Sequence, residues 1–457
     1  MPSSILSIPQ LLSTSVAVLG FGRAGRYVVD FLLSRGCAPT VYTETVQQSE
    51  NRATYEACGV RFCAPFPDCF CESVLVRSPG IRPDIAPIRR ALAMGAHLTG
   101  ECDLFLANTA ATVIGVTGSD GKTTTANMIA ELLRAMGHAV LLGGNNGAPL
   151  LFGLDTLGER DFAVVELSSF QLMSAPAPDV AVITNLVPNH LNWHLDFEEY
   201  ATAKCRIVQG ASRLVTNADL AITRGIGARA TIPVTWFGTG VEPDGEYVLA
   251  RGEELLIKTR FRHETVSVFR DFRLLGAHNK ANFATAVAAV EPFVDADTIC
   301  RVAKEFKGVS HRMQSVATVD GVEFINSSID TSPSRTVAAL SALGTGLHVI
   351  VGGRGKGVSL APLCEALVSH ARAVYAYGEL AKEIEVGISA RVPCARYDRF
   401  ADAFFASAKN AVKGERVLLS PGGTAFDQFR DFEERGEVFC RLVKLWEKER
   451  KYGSGTS

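Results

Sequence analysis

The sequence lacks any surplus of positive charge. Its 46 Lys and Arg stand against 48 Asp and Glu, a formal net charge of −2, so there is no basic field to draw nucleic acid. No apolar run reaches the ~18 residues that a membrane span requires, and no membrane partner is expected. The first twelve residues lack the basic start and long apolar core of a secretory leader, so a cytoplasmic protein is expected. The 11 cysteines include the close group Cys58, Cys63, Cys69 and Cys71, yet no Cys-x-x-Cys pair occurs among them. That spacing fits no common zinc template, and reduced thiols are expected. Internal repeats are absent, and the only low-complexity stretch is the Gly-Ser tail at 453–457.

What is present is a chain able to bury a large core, 47% hydrophobic and 21% charged. Its 457 residues point to a few domains of the usual size, about 100–150 residues each. The most informative stretch is Val-Ile-Gly-Val-Thr-Gly-Ser-Asp-Gly-Lys-Thr-Thr-Thr at 113–125. An apolar β-branched run ends in a glycine turn, and a helical pattern opens at Lys122. Such a loop lets backbone N–H groups close on phosphate oxygens, and the helix start adds positive potential. Lys122 is placed to meet the outer phosphates and Thr123 to offer a hydroxyl to Mg²⁺. The strict pattern has glycine where this chain has Val116.

A second glycine turn opens the chain. The strand Ser15-Val16-Ala17-Val18-Leu19 runs into Gly20-Phe21-Gly22-Arg23-Ala24-Gly25, and an amphipathic helix follows through Leu33. This is G-x-G-x-x-G between a strand and a helix. Alone it suggests a dinucleotide, but any nucleotide diphosphate suits the loop, including that of a UDP-sugar. The acidic residue expected about 20 positions on is only loosely supplied by Glu44. Further strands are expected at 73–76, 162–165 and 180–184, a helix at 86–94, and a linker at 107–111. Glu166 and His190 then sit just past strand ends, where open parallel sheets keep their ligand crevice. With Thr123 they make a candidate Mg²⁺ site. Later strands at 322–326, 347–351, 373–377 and 416–419, with a helix after Pro333, continue the alternation. The fold class expected is α/β throughout.

These residues together resemble the Mur ligases of peptidoglycan synthesis, over nearly the whole chain. The marks are Gly20-Phe21-Gly22, Ser78-Pro79-Gly80-Ile81, the 117–124 loop, Gly143-Gly144-Asn145, and Glu166-Leu167-Ser168-Ser169-Phe170-Gln171. They continue with 185–190, Gly276-Ala277-His278-Asn279-Lys280-Ala281-Asn282, His311-Arg312, 352–357 and the run from Leu419 to Glu433. The 166–171 and C-terminal runs favour the branch that adds D-glutamate.

The resemblance implies three domains: a Rossmann-like N-terminal domain (1–107) for the UDP-substrate, a central P-loop-type ATPase domain with a mostly parallel sheet (108–310), and a C-terminal Rossmann-like domain (311–457) for the amino acid. The implied partners are UDP-N-acetylmuramoyl-L-alanine, D-glutamate and ATP, with Mg²⁺ at two sites and a monomeric protein. Lys122, His190 and Lys204 would be the catalytic groups. Gly118, Ser119, Asp120, Gly121, Lys122, Thr123, Thr124, Asn279, Asn282 and Arg312 would bind ATP. Gly20, Gly22, Arg23, Ala24, Gly25, Ser78, Pro79, Gly80, Asn145 and Ser168 would face the UDP-muramoyl substrate. Thr331, Arg335, Lys356, Thr424 and Phe432 would receive the amino acid. Thr123, Glu166, His190 and Lys204 would hold metal, Lys204 as its carbamate.

The chain departs from the family at three places. Asn326-Ser327-Ser328-Ile329 replaces a common Asn-Asp-Ser-Lys, Ala425 replaces a serine, and Asn192 stands where Asp is common. Arg335 is the candidate to compensate for the missing lysine at Ile329. The implied reaction activates the alanine carboxylate as an acyl phosphate, which the amine of D-glutamate then attacks. Three other readings stay open at this stage. Folylpolyglutamate synthase shares the chemistry but lacks the N-terminal unit. An NAD-dependent oxidoreductase would explain only the first turn. A non-catalytic nucleotide-binding regulator would not need Lys204 and Glu166.

Overall fold

The computed structural model describes residues 6–44, 52–145, 148–189, 193–274, 276–355 and 357–453. The backbone separates into two compact units, Met1–Phe306 and Lys307–Ser457.

The first unit holds two sheets. The N-terminal sheet has five strands, β1 (Val16–Leu19), β2 (Thr40–Tyr42), β3 (Arg61–Cys63), β4 (Val74–Arg77) and β5 (His97–Thr99), in the order β3-β2-β1-β4-β5. All four pairings are parallel. A parallel sheet must be covered on both faces, which is why β1 and β4 are buried at every position. Helix Arg23–Ser34 covers one face with Val28, Val29, Phe31 and Leu32. The linker expected at 107–111 is shorter than its composition suggests. Helix Glu101–Asn108 runs into it, drawn inward by buried Leu104 and Phe105, and Ala111 is itself buried.

The larger sheet has nine strands: β6 (Thr112–Thr117), β7 (Val140–Gly144), β8 (Phe162–Glu166), β9 (Val180–Ile183), β10 (Arg213–Asn217), β11 (Val234–Gly238), β12 (Glu246–Arg251), β13 (Glu254–Lys258) and β14 (His263–Ser267). Their order is β14-β13-β12-β11-β10-β9-β6-β8-β7. Pairing is parallel from β7 to β12 and antiparallel from β12 to β14. At the β14 edge, only Val266 of five side chains is buried. Helix Lys122–Ala135 packs on helix Ala277–Val290, whose alanines at 284, 286, 288 and 289 are fully buried and allow close approach.

The second unit carries β15 (Gln314–Val319), β16 (Val322–Asn326), β17 (Leu347–Gly352), β18 (Ala371–Tyr377), β19 (Cys394–Tyr397) and β20 (Arg416–Gly422), in the order β15-β16-β20-β17-β18-β19. Only β15–β16 is antiparallel. Across the chain the 11 cysteines are all free. No helix among the described residues is long and apolar enough to cross a membrane.

Candidate functional site

The site is built at the carboxyl ends of adjacent parallel strands. β6 leaves the sheet at Thr117, and the chain turns through Gly118 (φ +148°) and Gly121 (φ +79°), a conformation open to glycine and strained for other residues. A Cβ on Gly121 would also lie 2.5 Å from Asn282 Oδ1. Gly121 is the N-cap of helix Lys122–Ala135 and no side chain caps that end, which leaves a helix start suited to an anion. Lys122 Nζ donates to the carbonyls of Gly118 and Ser119, both at 2.9 Å. Ser119 spends its polar groups inside the protein. Its N–H donates to Asn185 O at 3.0 Å, and its hydroxyl donates to Val187 O and lies 2.8 Å from Tyr200 OH. Asp120 N–H donates to Asn185 Oδ1, and Thr124 is half-buried.

Strand register brings the next group together. Glu166 ends β8 opposite Val116 of β6 and Gly144 of β7. Its carboxylate is 2% exposed. One oxygen accepts Thr123 Oγ1 at 2.7 Å and the other accepts Asn145 Nδ2 at 3.0 Å. A buried carboxylate beside a hydroxyl is an oxygen donor set, and it fits a hard dication such as Mg²⁺. Lys204 approaches from helix Phe197–Cys205, which Asp196 caps through Glu199 N at 2.8 Å, a contact worth about 1 kcal/mol. The lysine is 2% exposed, with Nζ 3.2 Å from Thr117 Oγ1 and 5.0 Å from the Tyr200 ring. Burial first, and Lys122 second, pull its ammonium well below the usual lysine range, against the opposing pull of Glu166 and Asp120. A neutral amine is the form that reacts with CO₂, so this lysine fits a carbamate. Among the described residues no group of three or more His, Cys, Asp or Glu could hold a metal. His190 and Asn192 lie outside the described residues.

Asn279 and Asn282 occupy the first turns of helix Ala277–Val290, 3.4 Å apart through their side chains, and Asn282 Oδ1 lies 3.4 Å from Thr125 Oγ1. Ser168 folds onto its own loop, giving its N–H and its hydroxyl to Gln171 Oε1 at 2.8 Å each. Tyr200 was missed as a candidate, although its place four residues before Lys204 puts both on one helix face.

The N-terminal turn lies beside this group. Gly20 (φ +86°) leaves no room for a Cβ, which would sit 2.9 Å from Ser78 Oγ. At Gly25 a Cβ would strike the carbonyl oxygen of Gly20, whereas at Gly22 it would meet nothing. Gly20, Gly22, Arg23, Ala24, Ser78, Pro79 and Gly80 line a cavity of about 450 Å³ that also takes in Glu44 and Phe66. Phe66 carries no motif signal and could not be found from sequence. Arg23 Nη2 donates to Asn145 O at 2.8 Å, so the nucleotide turn and the Glu166 group are contiguous.

In the second unit, Arg335 is exposed and donates to Ile329 O at 3.0 Å. Burial raises the carboxyl of Asp330, against hydrogen bonds from Ser327 and Ser420 and the weaker pull of exposed Arg335 and half-buried Arg312. Thr331 donates its N–H to Ile329 O. Thr424 is zipped to Arg354 by two backbone bonds of 2.9 Å, and its hydroxyl donates to Arg354 O. Phe432 O accepts Ser328 Oγ at 2.8 Å. Sequence reasoning missed fully buried Arg435, which donates to Ser328, Tyr377 and Gly423. Lys356 lies outside the described residues.

Comparison with known proteins agrees with this geometry. Residues 116–290 match the Mur ligase middle domain. The chain is 34% identical over 447 residues to UDP-N-acetylmuramoylalanine–D-glutamate ligase of Ruminiclostridium cellulolyticum, covering 94% of this chain and 96% of that one. It is 35% identical over 450 residues to the ligase of the same name from Symbiobacterium thermophilum, covering 95% and 98%. Among solved structures it resembles UDP-N-acetylmuramate–alanine ligase from Thermotoga maritima (17% identity, TM-score 0.55, 95% and 100% covered). It also resembles UDP-N-acetylmuramoylalanyl-D-glutamyl-2,6-diaminopimelate–D-alanyl-D-alanyl ligase from Acinetobacter baumannii (18%, TM-score 0.53, 94% and 90%). The two structures bear on fold alone, but the full-length relatives decide kinship: the chain belongs to the Mur ligase family, in the branch of the UDP-N-acetylmuramoylalanine–D-glutamate ligases.

Proposed function

We propose that the chain joins D-glutamate to UDP-N-acetylmuramoyl-L-alanine at the cost of ATP, through an acyl phosphate, in peptidoglycan precursor synthesis. The observation that carries the reading is the contact of Arg23 with Asn145, which sets a nucleotide turn beside the buried Thr123–Glu166–Asn145 group. One substrate can then reach from a UDP site to a phosphate-transfer site. As a Mur ligase the protein works with ATP and Mg²⁺. The finer assignments are ours: two Mg²⁺ ions, a carbamate on Lys204, three domains (1–107, 108–310, 311–457), a monomer, and a cytoplasmic location.

A carboxylate acylates poorly until it is phosphorylated. The start of helix Lys122–Ala135, with Gly121 at its N-cap, binds the ATP phosphates, and Lys122 meets the transferring group with its ammonium. Ser119 contributes shape rather than a donor, since its polar groups are committed to Asn185, Val187 and Tyr200. Thr123 and Glu166 would hold one Mg²⁺, and His190 with carbamylated Lys204 a second. When bound, the ions offset charge on the phosphate oxygens. Asn145 orients Glu166 and faces the muramoyl-alanine end with Ser168. Asn279 and Asn282 are assigned to the adenine end of ATP by the family resemblance, which also assigns Arg312 of the second unit to ATP. Lys204 forms its carbamate when the neutral amine attacks CO₂, making an N–C bond and releasing one proton. Thr331, Lys356, Thr424, Phe432 and Arg335 receive D-glutamate, whose amine attacks the acyl phosphate and expels phosphate.

The test is phosphate release. It should require ATP, UDP-N-acetylmuramoyl-L-alanine and D-glutamate together, and L-glutamate should not substitute. Equal rates with both enantiomers, or no release with either, would overturn the reading.

A further inference from the structure

Two arginines flank the Ser78-Pro79-Gly80-Ile81 turn, and each bonds to a segment that follows a strand of the larger sheet, 170–174 after β8 and 193–199 after β9. Arg77 ends β4 and is 4% exposed. Its Nη1 donates to Pro79 O at 3.1 Å and Ile81 O at 2.6 Å, which holds the turn from beneath. Its Nη2 crosses to the loop after β8, donating to Phe170 O at 2.9 Å and Ser174 Oγ at 3.4 Å. Nε has no hydrogen-bond partner among the described residues. A guanidinium buried like this costs several kcal/mol unless its remaining contacts offset that. Four hydrogen bonds on two separate loops and the charge of buried Asp103 are what this one has.

Arg82 works from the other end of the turn. It donates to Trp193 O at 2.8 Å and to Glu199 Oε1 at 2.8 Å, and its guanidinium stacks 4.9 Å from the Trp193 ring. Trp193 returns the contact, Nε1 donating to Gly80 O at 2.8 Å. Glu199 lies on helix Phe197–Cys205 with Lys204. Its other oxygen lies 3.2 Å from His194 Nδ1, and His194 Nε2 lies 2.9 Å from Ser169 Oγ. Arg77 therefore bonds directly to the segment that follows Glu166 and Ser168, at Phe170 and Ser174, and Arg82 reaches Ser169 of that segment only through Glu199 and His194.

We infer that Arg77 and Arg82 form a clasp that sets the span between the nucleotide turn and the phosphate-transfer groups. They are positioning residues, and the inference rests on the ligase reading of the site. A substrate with its nucleotide at one end and its reacting carboxylate at the other feels that span at both ends. A shift of about 1 Å costs rate steeply in such a reaction. A ligand that occupies one end alone does not feel it.

The experiment uses that difference. In full-length Arg77→Met and Arg82→Met, kcat/KM for the UDP-muramoyl substrate should fall at least tenfold. Affinity for UDP alone, by calorimetry, and the KM for ATP should stay within twofold of the parent. Arg82→Lys, which keeps the charge and loses the planar fork, should not restore the rate. Unchanged turnover overturns the clasp. So does a parallel loss of UDP affinity, which would make the arginines part of the nucleotide site. If the methionine variants fail to fold, Trp193→Phe removes the bond to Gly80 and trims the ring that Arg82 stacks on, and a three- to fivefold fall in kcat/KM with intact UDP affinity is expected. Parental kcat/KM in that variant would count against the clasp. A parent protein that does not turn over the UDP substrate at all would instead indict the ligase reading.

Discussion

In the turn at 20–25 the helix lies directly on the strand, with Gly25 against the Gly20 carbonyl and no room for a methyl group. The loop at 118–121 is tied outward to distant segments: Asp120 N–H donates to Asn185 Oδ1, and the Ser119 hydroxyl meets Tyr200 OH. Both follow a parallel strand and open a helix, so sequence pattern makes them look alike. The first is shaped by the absence of side chains and leaves a cavity for a ligand. The second is shaped by hydrogen bonds and gathers buried charge around it. A motif of glycines thus reports where a turn is, while the neighbours decide how stiffly it is held.

The sharpest way to separate the two is to remove charge from the second. Lys204→Ala should lower phosphate release by about 10³-fold, or ~4 kcal/mol, with UDP affinity and circular dichroism unchanged. Small carboxylates such as formate should restore part of the rate by standing in for the carbamate. Parental activity in Lys204→Ala would remove the carbamate from the mechanism.

Next in size is a methyl group in the first turn. Gly25→Ala forces Cβ onto a backbone oxygen and should cost roughly 2–4 kcal/mol of stability, with UDP binding lost before ATP binding. Gly22→Ala, in open space, should stay within about 0.5 kcal/mol. Thermal melts of both variants, with and without UDP, read the contrast. Similar melting points would mean that close packing does not shape this turn.

Glu101 lies within electrostatic reach of Arg23 in the first turn and accepts Leu150 N at 2.9 Å. Burial lifts its carboxyl to about 7, against the lowering effect of that bond and of Arg23. The folded state therefore holds this proton more tightly than the unfolded chain does. Its contribution to stability is full below about pH 4 and is lost as pH rises through the folded value. Glu101→Gln should gain roughly 1–3 kcal/mol over the parent at pH 8 and little at pH 4. Denaturant melts at the two pH values would show it, and a gain independent of pH would reject this cause.

The smallest effect belongs to the second unit, where the candidate cation is exposed rather than buried. Arg335→Ala should raise the KM for D-glutamate roughly tenfold, about 1.4 kcal/mol, with the KM for ATP nearly unchanged. Wild-type dependence on D-glutamate would end Arg335's role as a substitute for the missing lysine.

Much of the fold was legible because buried parallel strands are short β-branched runs that stop at glycine or at a polar motif. The strands ending at Thr117, Glu166 and Ile183 are of this kind. The antiparallel extension β12–β14 was not anticipated: β12 and β13 carry charged residues at their ends, and the strands join through tight turns rather than helices. Lys122, Thr123 and Glu166 were legible because they sit at fixed offsets from those strand ends. Phe66, Arg77 and Arg435 were not, because their partners lie far away in sequence, as Phe170 does from Arg77. Ser119 shows what a pattern omits: its place in the loop suggests ATP binding, and only the fold shows its hydroxyl meeting Tyr200.

The outer strand β14 carries a different consequence. An uncovered strand edge is a template on which another chain can add and begin to aggregate. Here that edge presents exposed His263, Thr265 and Ser267, with a single buried valine, and the neighbouring strand exposes Glu254 and Lys258. A nine-stranded sheet would otherwise be an inviting seed for cross-β growth, and this polar border disfavours the addition of another strand.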